Sequence, residues 1–181
     1  MSISFQLFEQ GLEHQFEMPD APDPETLEPE HVIRRRQARA AGWKDEDIDR
    51  FARERPIEMR PIQARNEFAP EPMEPLQTCW MRVAGRMPDD GGLHQCALAY
   101  LSDWSLLDTC IWPHGVSWMQ GNLQTASLDH AMWFHRPFRT DEWMLYVQDS
   151  PASGGARGFN RGLIYTQDGT LVASVAQEGL I

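Results

Sequence analysis

Asp103 has apolar neighbours at three and four positions on either side, Ala99, Tyr100, Leu106 and Leu107. If the segment is helical, these residues share its face. An unpaired carboxylate against such a surface is costly to bury or has its pKa forced upward, so the position calls for a polar partner or a chemical task. A capped or solvent-reaching Asp at a helix edge is the structural alternative. Gln177 raises the same question on a strand, because Leu171, Ala173, Val175 and Gln177 fall on one face by the two-residue period. A buried glutamine must place a donor and an acceptor, for instance by holding a water or a carbonyl oxygen; the alternative is a glutamine at a fraying strand end. Ser127 shares a strand face with Thr125, Asp129 and Ala131 and has no Gly-x-Ser-x-Gly elbow around it. From its neighbours alone it reads as an ordinary strand hydroxyl.

His130 and His135 are five apart and so on opposite faces of a strand, and His14, His31, His94 and His114 show no ligand spacing, so neither a metal nor a cofactor is expected. Arg136, Arg157 and Arg161 are half of the six basic residues after Pro75. They fit either the contacts of an anionic substrate or a solvated surface. The triplet Arg34, Arg35 and Arg36 fits either a solvated face paired with nearby acids or a site for phosphates.

Elements must position these residues. Ser2 to Glu9 alternates as a strand, and Met18 to Pro24 is stiff and extended because prolines restrict it. Helices are expected from Pro29 to Ala41 and from Lys44 to about Arg53, followed by an extended surface run from Pro56 to Pro75. Gln77 to Val83 reads as a strand, and Leu93 to about Asp108 as a helix apolar on almost every face, hence surrounded. Four strands follow: Leu123 to His135, Glu142 to Ser150, Arg157 to Gln167 and Thr170 to Glu178. Asp168-Gly169 supplies a hairpin turn between the last two. Strand, buried helix, four strands predicts an α+β arrangement, an antiparallel sheet curled around one central helix, which is the layout of the hot dog fold.

Composition narrows the function classes. The 181 residues carry 16 Lys+Arg against 27 Asp+Glu, a formal charge of −11, which argues against nucleic acid as a partner. The sequence lacks the roughly 18 uninterrupted apolar residues of a membrane span, and Met1 to Phe5 does not start a signal peptide. A soluble cytoplasmic protein with reduced thiols at Cys79, Cys96 and Cys110 is expected. Nine of the 13 prolines precede residue 76, whereas 11 of the 13 glycines and six of the seven tryptophans follow it. The core is therefore expected after Pro75.

Five segments, Leu101-Ser-Asp-Trp104, Leu128-Asp-His-Ala-Met-Trp-Phe-His-Arg-Pro-Phe138, Ala156-Arg-Gly-Phe-Asn-Arg-Gly162, Tyr165-Thr-Gln-Asp-Gly169 and Ser174-Val-Ala-Gln-Glu-Gly179, together resemble the acyl-CoA thioesterase II family. The resemblance implies a double hot dog that hydrolyses fatty acyl-CoA to free acid and CoA without a covalent intermediate. By motif it places the family's catalytic set on Asp103 as general base, with Ser127, where the family usually carries Thr, and Gln177 holding the water. It also implies that residues 1–17 are the last strand of an otherwise absent first hot dog domain, 18–75 an inter-domain linker and 76–181 the catalytic hot dog domain. Such a chain is expected to bind acyl-CoA and to form a homo-oligomer or pair with a partner hot dog domain. Two other readings fit less well. One is a non-catalytic acyl-CoA-binding or assembly module; the other is a hot dog enoyl-CoA hydratase using Asp89, Asp90 and His94.

Overall fold

The computed structural model describes residues 2–7, 9–121 and 123–181. Seven strands form one antiparallel sheet: β1 (Ile57–Pro61), β2 (Leu76–Val83), β3 (Ala126–Ser127), β4 (Ala131–Phe134), β5 (Met144–Gly154), β6 (Arg157–Thr166) and β7 (Leu171–Leu180). Their order is β1-β2-β5-β6-β7-β3, with β4 also paired to β7. β6 and β7 are joined at Asp168-Gly169, where Gly169 takes the positive φ of 88° that the turn demands. Among the described residues no helix is long and apolar enough to cross a membrane.

Among the described residues there are three α-helices: α1 (Glu30–Ala40), α2 (Asp45–Phe51) and α3 (Gly91–Asp103). The Asp90 side chain caps α3 by accepting from the backbone N–H of Gly92 and Leu93. Leu98 and Leu101 pack α3 onto Met59, Cys79, Met144, Ile164 and Val175, which come from five different strands. The sheet thus curls around the helix. α3 ends five residues earlier than its apolar pattern predicts. The Ser102 carbonyl, which a longer helix would use internally, accepts instead from the Tyr146 hydroxyl at 2.9 Å, and the chain passes into a 3-10 helix, Leu106–His114.

That 3-10 helix docks where Gly158 of β6 pairs with Gly179 of β7. A Cβ at Gly158 would collide with Cys110, and one at Gly179 with Leu107. Two facing glycines therefore open a slot in the sheet that Leu107 and Cys110 fill.

The other face of the sheet is covered by the chain that precedes it. Met18, Ala21 and Leu27 pack on Trp80, Trp143, Leu145 and Tyr165. The Trp80 indole donates to the Pro22 carbonyl at 2.8 Å and the Trp143 indole to a Glu25 carboxylate oxygen at 2.9 Å. Of the arginine triplet, Arg34 pairs with Glu30, Arg35 with Asp49 and Arg36 with Glu28.

Four expectations change. Residues 2–7 of the anticipated first strand form no strand, since they have no ladder partner among the described residues; Phe8 lies outside those residues. Ile57–Pro61, expected as extended linker, is instead the edge strand β1, paired from Ile57 to Val83 through Pro61 to Cys79, so the sheet draws on the segment before residue 76. The single strand expected from Leu123 to His135 is two short ones, β3 and β4, with Leu128 to His130 between them. Finally, α3 is not enclosed: Leu93, Cys96, Ala99 and Tyr100 are exposed opposite the buried His94, Leu98, Leu101 and Ser102.

Two stability predictions follow from this packing. Gly179→Ala should cost about 1–3 kcal/mol in a denaturant melt, because Leu107 has no room to retreat; an unchanged midpoint would contradict the slot. The second concerns Asp108 of the 3-10 helix, which accepts from the Trp118 indole at 2.8 Å. Burial, with the Glu67 carboxylate nearby, pushes its carboxyl from 3.8 up to about 7. Across that window the folded chain keeps a proton that the unfolded chain gives up, so stability should fall as pH rises through it. Urea melts at several pH values should show that fall in the wild type and a flatter curve in Asp108→Asn.

Candidate active site

Asp103 is the last residue of α3. A carboxylate there meets the negative end of the helix dipole, a placement that helix stability does not favour. Its side chain is 54% exposed, against the expectation that it would be buried. The apolar neighbours are present, but they lie on the open side of α3. Asp103 faces an open cleft of about 370 Å³ that Tyr100, Ser127, Leu128, His130 and Gln177 also line. The structure therefore brings Asp103, Ser127 and Gln177 together.

Gln177 is fully buried on the inner face of β7, as its strand period predicts. Its Nε2 lies 2.5 Å from Asp103 Oδ1 and 3.3 Å from His130 Nδ1. A carboxylate only accepts, so this contact fixes which end of the amide faces Asp103. Its second N–H is directed at His130 Nδ1, which must then present a lone pair. His130 Nε2 therefore carries the proton and donates to Ser102 Oγ at 2.9 Å, and Ser102 Oγ donates onward to the Ala99 carbonyl at 3.0 Å. Arranged in this way, the amide, the imidazole and the hydroxyl run in one direction from Asp103 to the Ala99 carbonyl, and His130 Nδ1 also lies 3.7 Å from Asp103 Oδ1. Both Gln177 N–H groups are committed, so the amide holds the carboxylate and is not free to donate to a substrate. Burial pushes the Tyr146 hydroxyl well above its usual value, which keeps it a donor to the Ser102 carbonyl.

His130 and Ser102 are site residues that sequence reasoning missed. In one continuous strand His130 and Ser127 would point to opposite faces. The break after β3 removes that alternation, and both reach the same cleft. Asp129 supports the break, accepting from the Glu178 backbone N–H at 2.7 Å. The polar density of Ser127, Asp129 and His130 within four residues was the available signal.

The other candidates lie elsewhere. Arg136 reaches the Leu171 carbonyl and Glu13, Arg157 pairs with Glu178, and Arg161 makes two 2.8 Å contacts with Asp149. None of the three lines the cleft. Of the residues a hydratase would need, Asp90 caps α3, Asp89 pairs with Arg139 at 2.6 Å and His94 is held by the Thr140 backbone N–H at 3.1 Å. None of these three lines the cleft.

The family model described as acyl-CoA thioesterase matches residues 47–180. The chain belongs to the acyl-CoA thioesterase family. It is 37% identical over 181 residues to acyl-CoA thioesterase 2 of Haemophilus influenzae, covering all of this chain and 63% of that protein. It is 39% identical over 175 residues to human acyl-coenzyme A thioesterase 8, covering 94% of this chain and 54% of that one. Among solved structures it is similar to the acyl-CoA thioesterase II TesB2 of Mycobacterium marinum, with a TM-score of 0.71 and 41% identity over 97% of this chain and 59% of that chain. A protein of unknown function with a hot dog fold from Alicyclobacillus acidocaldarius superposes with a TM-score of 0.66 at 17% identity, which shows the fold alone. The chain thus spans between about half and two thirds of the length of these relatives.

The hydrogen-bond chain makes a spectroscopic prediction. In nitrogen-detected NMR of the full chain, the imidazole signals lost in His130→Ala should be those of an Nε2–H tautomer. An Nδ1–H tautomer would mean that the Gln177 amide is not oriented as described.

Proposed function

We propose that the chain hydrolyses acyl-CoA thioesters to free fatty acid and CoA, with Asp103 as general base. The observation that carries this reading is a carboxylate at a solvent-open helix end, oriented by an amide of an otherwise apolar strand face and lying in the same cleft as the Ser127 hydroxyl. Water attacks the thioester carbonyl and gives its proton to Asp103. The C–S bond breaks, and the leaving thiolate of CoA takes up a proton. A thiolate is a good leaving group, so a positioned water suffices and no covalent intermediate is required. Ser127 helps to hold the water; Gln177 holds the base, and His130 holds Gln177. The names of the similar proteins, which give acyl-CoA as substrate, support the same reaction.

The exposed apolar residues Leu93, Tyr100, Leu128 and Phe134 on the α3 side of the sheet support a second hot dog domain as partner, in another copy or another chain, because apolar area of this kind marks an interaction surface. The free thiols at Cys79, Cys96 and Cys110 support a reducing compartment such as the cytoplasm.

Asp103→Asn should lower kcat on a fatty acyl-CoA by about 10²-fold or more while the melting curve holds, as expected for loss of a general base. Release of free thiol measures it. A rate within a few-fold of wild type would remove Asp103 from the mechanism.

A further inference from the structure

Between α1, the end of α2 and β1, a second recess is lined by Arg34, Arg53, Arg55 and His31, with Glu30 as its acidic residue. Most arginines of this acidic chain are paired with carboxylates, and two of this group depart from that pattern. Arg34 pairs with Glu30 at 2.8 Å. Arg53 and Arg55 have no hydrogen-bond or ion-pair partner among the described residues, although Arg55 is partly buried. Desolvation first, and then the like charge of Arg34, lower the proton affinity of Arg55; Glu30 opposes them, and Arg53 lowers it further. Three arginines thus line one recess in which Glu30 is the lining carboxylate, with Glu54 beside it 3.6 Å from His31. Such repulsion has to be offset, and an anion with several oxygens offsets it best.

The posture of Arg55 fits that role. Its guanidinium lies 4.3 Å from the centre of the Trp104 ring. A guanidinium stacked on an aromatic face is held in one plane with its N–H edges free, the geometry that grips phosphate in a bidentate manner. Trp104 follows Asp103 directly. Its ring is 6.4 Å from that of Tyr100, which lines the catalytic cleft. One aromatic pair therefore separates the arginine recess from the cleft. A CoA thioester joins its acyl group to its phosphates through a long flexible arm, so a ligand with its carbonyl at Asp103 needs a cationic anchor at some remove.

We propose that Arg34, Arg53 and Arg55 form the subsite for the phosphates of the CoA moiety, an assignment of ligand that rests on the thioesterase reading above. The anchor then lies on α1 and on the short segment between α2 and β1, and the reacting group at the end of α3.

The test compares kcat/KM for an acyl-CoA with that for the same acyl group on N-acetylcysteamine, a thioester without phosphates. In Arg55→Gln and in Arg53→Gln the ratio of the two should fall by about tenfold or more, the effect of one lost charge-assisted contact. Arg39→Gln, on the far surface of α1, should leave it unchanged. Arg53 is exposed and makes no contact the fold requires, so its variant remains informative even if Arg55→Gln fails to fold. Calorimetry with CoA and with inorganic pyrophosphate completes the experiment. CoA should bind the wild type at least tenfold more tightly than either variant, and pyrophosphate should bind far more weakly than CoA. Pyrophosphate binding as tightly as CoA would make this a site for free phosphates and overturn the assignment. Hydrolysis of both thioesters with an unmoved ratio would overturn the subsite and leave the thioesterase standing. Weakened CoA binding in the variants of a chain that hydrolyses neither thioester would keep the subsite and overturn the thioesterase.

Discussion

The candidate site depends on where α3 stops. Ser102 and Asp103 are adjacent, yet about 100° of helical rotation separates them, so one faces the sheet and the other the cleft. Ser102 takes two inward contacts, its carbonyl to the buried Tyr146 hydroxyl and its side chain to His130. With Ser102 held from both ends, Asp103 has little freedom to turn. The same contact that ends the helix aims the carboxylate.

The sheet contributes through alternation on β7. Gln177 and Gly179 are two residues apart on the inner face; one carries the amide that grips Asp103, and the other supplies the space into which Leu107 fits. The 3-10 helix begins three residues after Asp103, so its docking in the glycine slot anchors the chain just beyond the carboxylate. Packing at Gly158 and Gly179 and hydrogen bonding at Gln177 therefore act on the same short stretch of main chain, from opposite sides.

Much of this was legible in the sequence, and the exceptions have physical causes. Gln177 follows from a two-residue period in a strand whose face is otherwise apolar. Asp103 follows from its helical neighbours, but its exposure does not, because periodicity reports which residues share a face and not whether that face is covered. Ser127 is unremarkable from its own neighbours and emerges only from the family's motif. His130 is hidden by strand alternation, and the bonds to β7 that interrupt the strand at Leu128 to His130 join residues almost fifty positions apart. β1 is hidden by Pro56 and Pro61, which flank a strand short enough to tolerate a proline at its end. The family match and the hot dog architecture agree with the order of elements, whose hairpin at Asp168-Gly169 is a purely local signal.

The segment that runs from Met18 to Leu27 across the sheet has a directional consequence. Two sheets stack only when each offers a bare face, and here one face is occupied by α3 and the other is roofed by the chain's own prolines, latched through Trp80 and Trp143. Sandwich-like stacking is closed over that roofed part of the sheet. What the roof leaves bare is the uncovered side of α3, on which the cleft opens, and the far part of the sheet at Trp133 and Phe159.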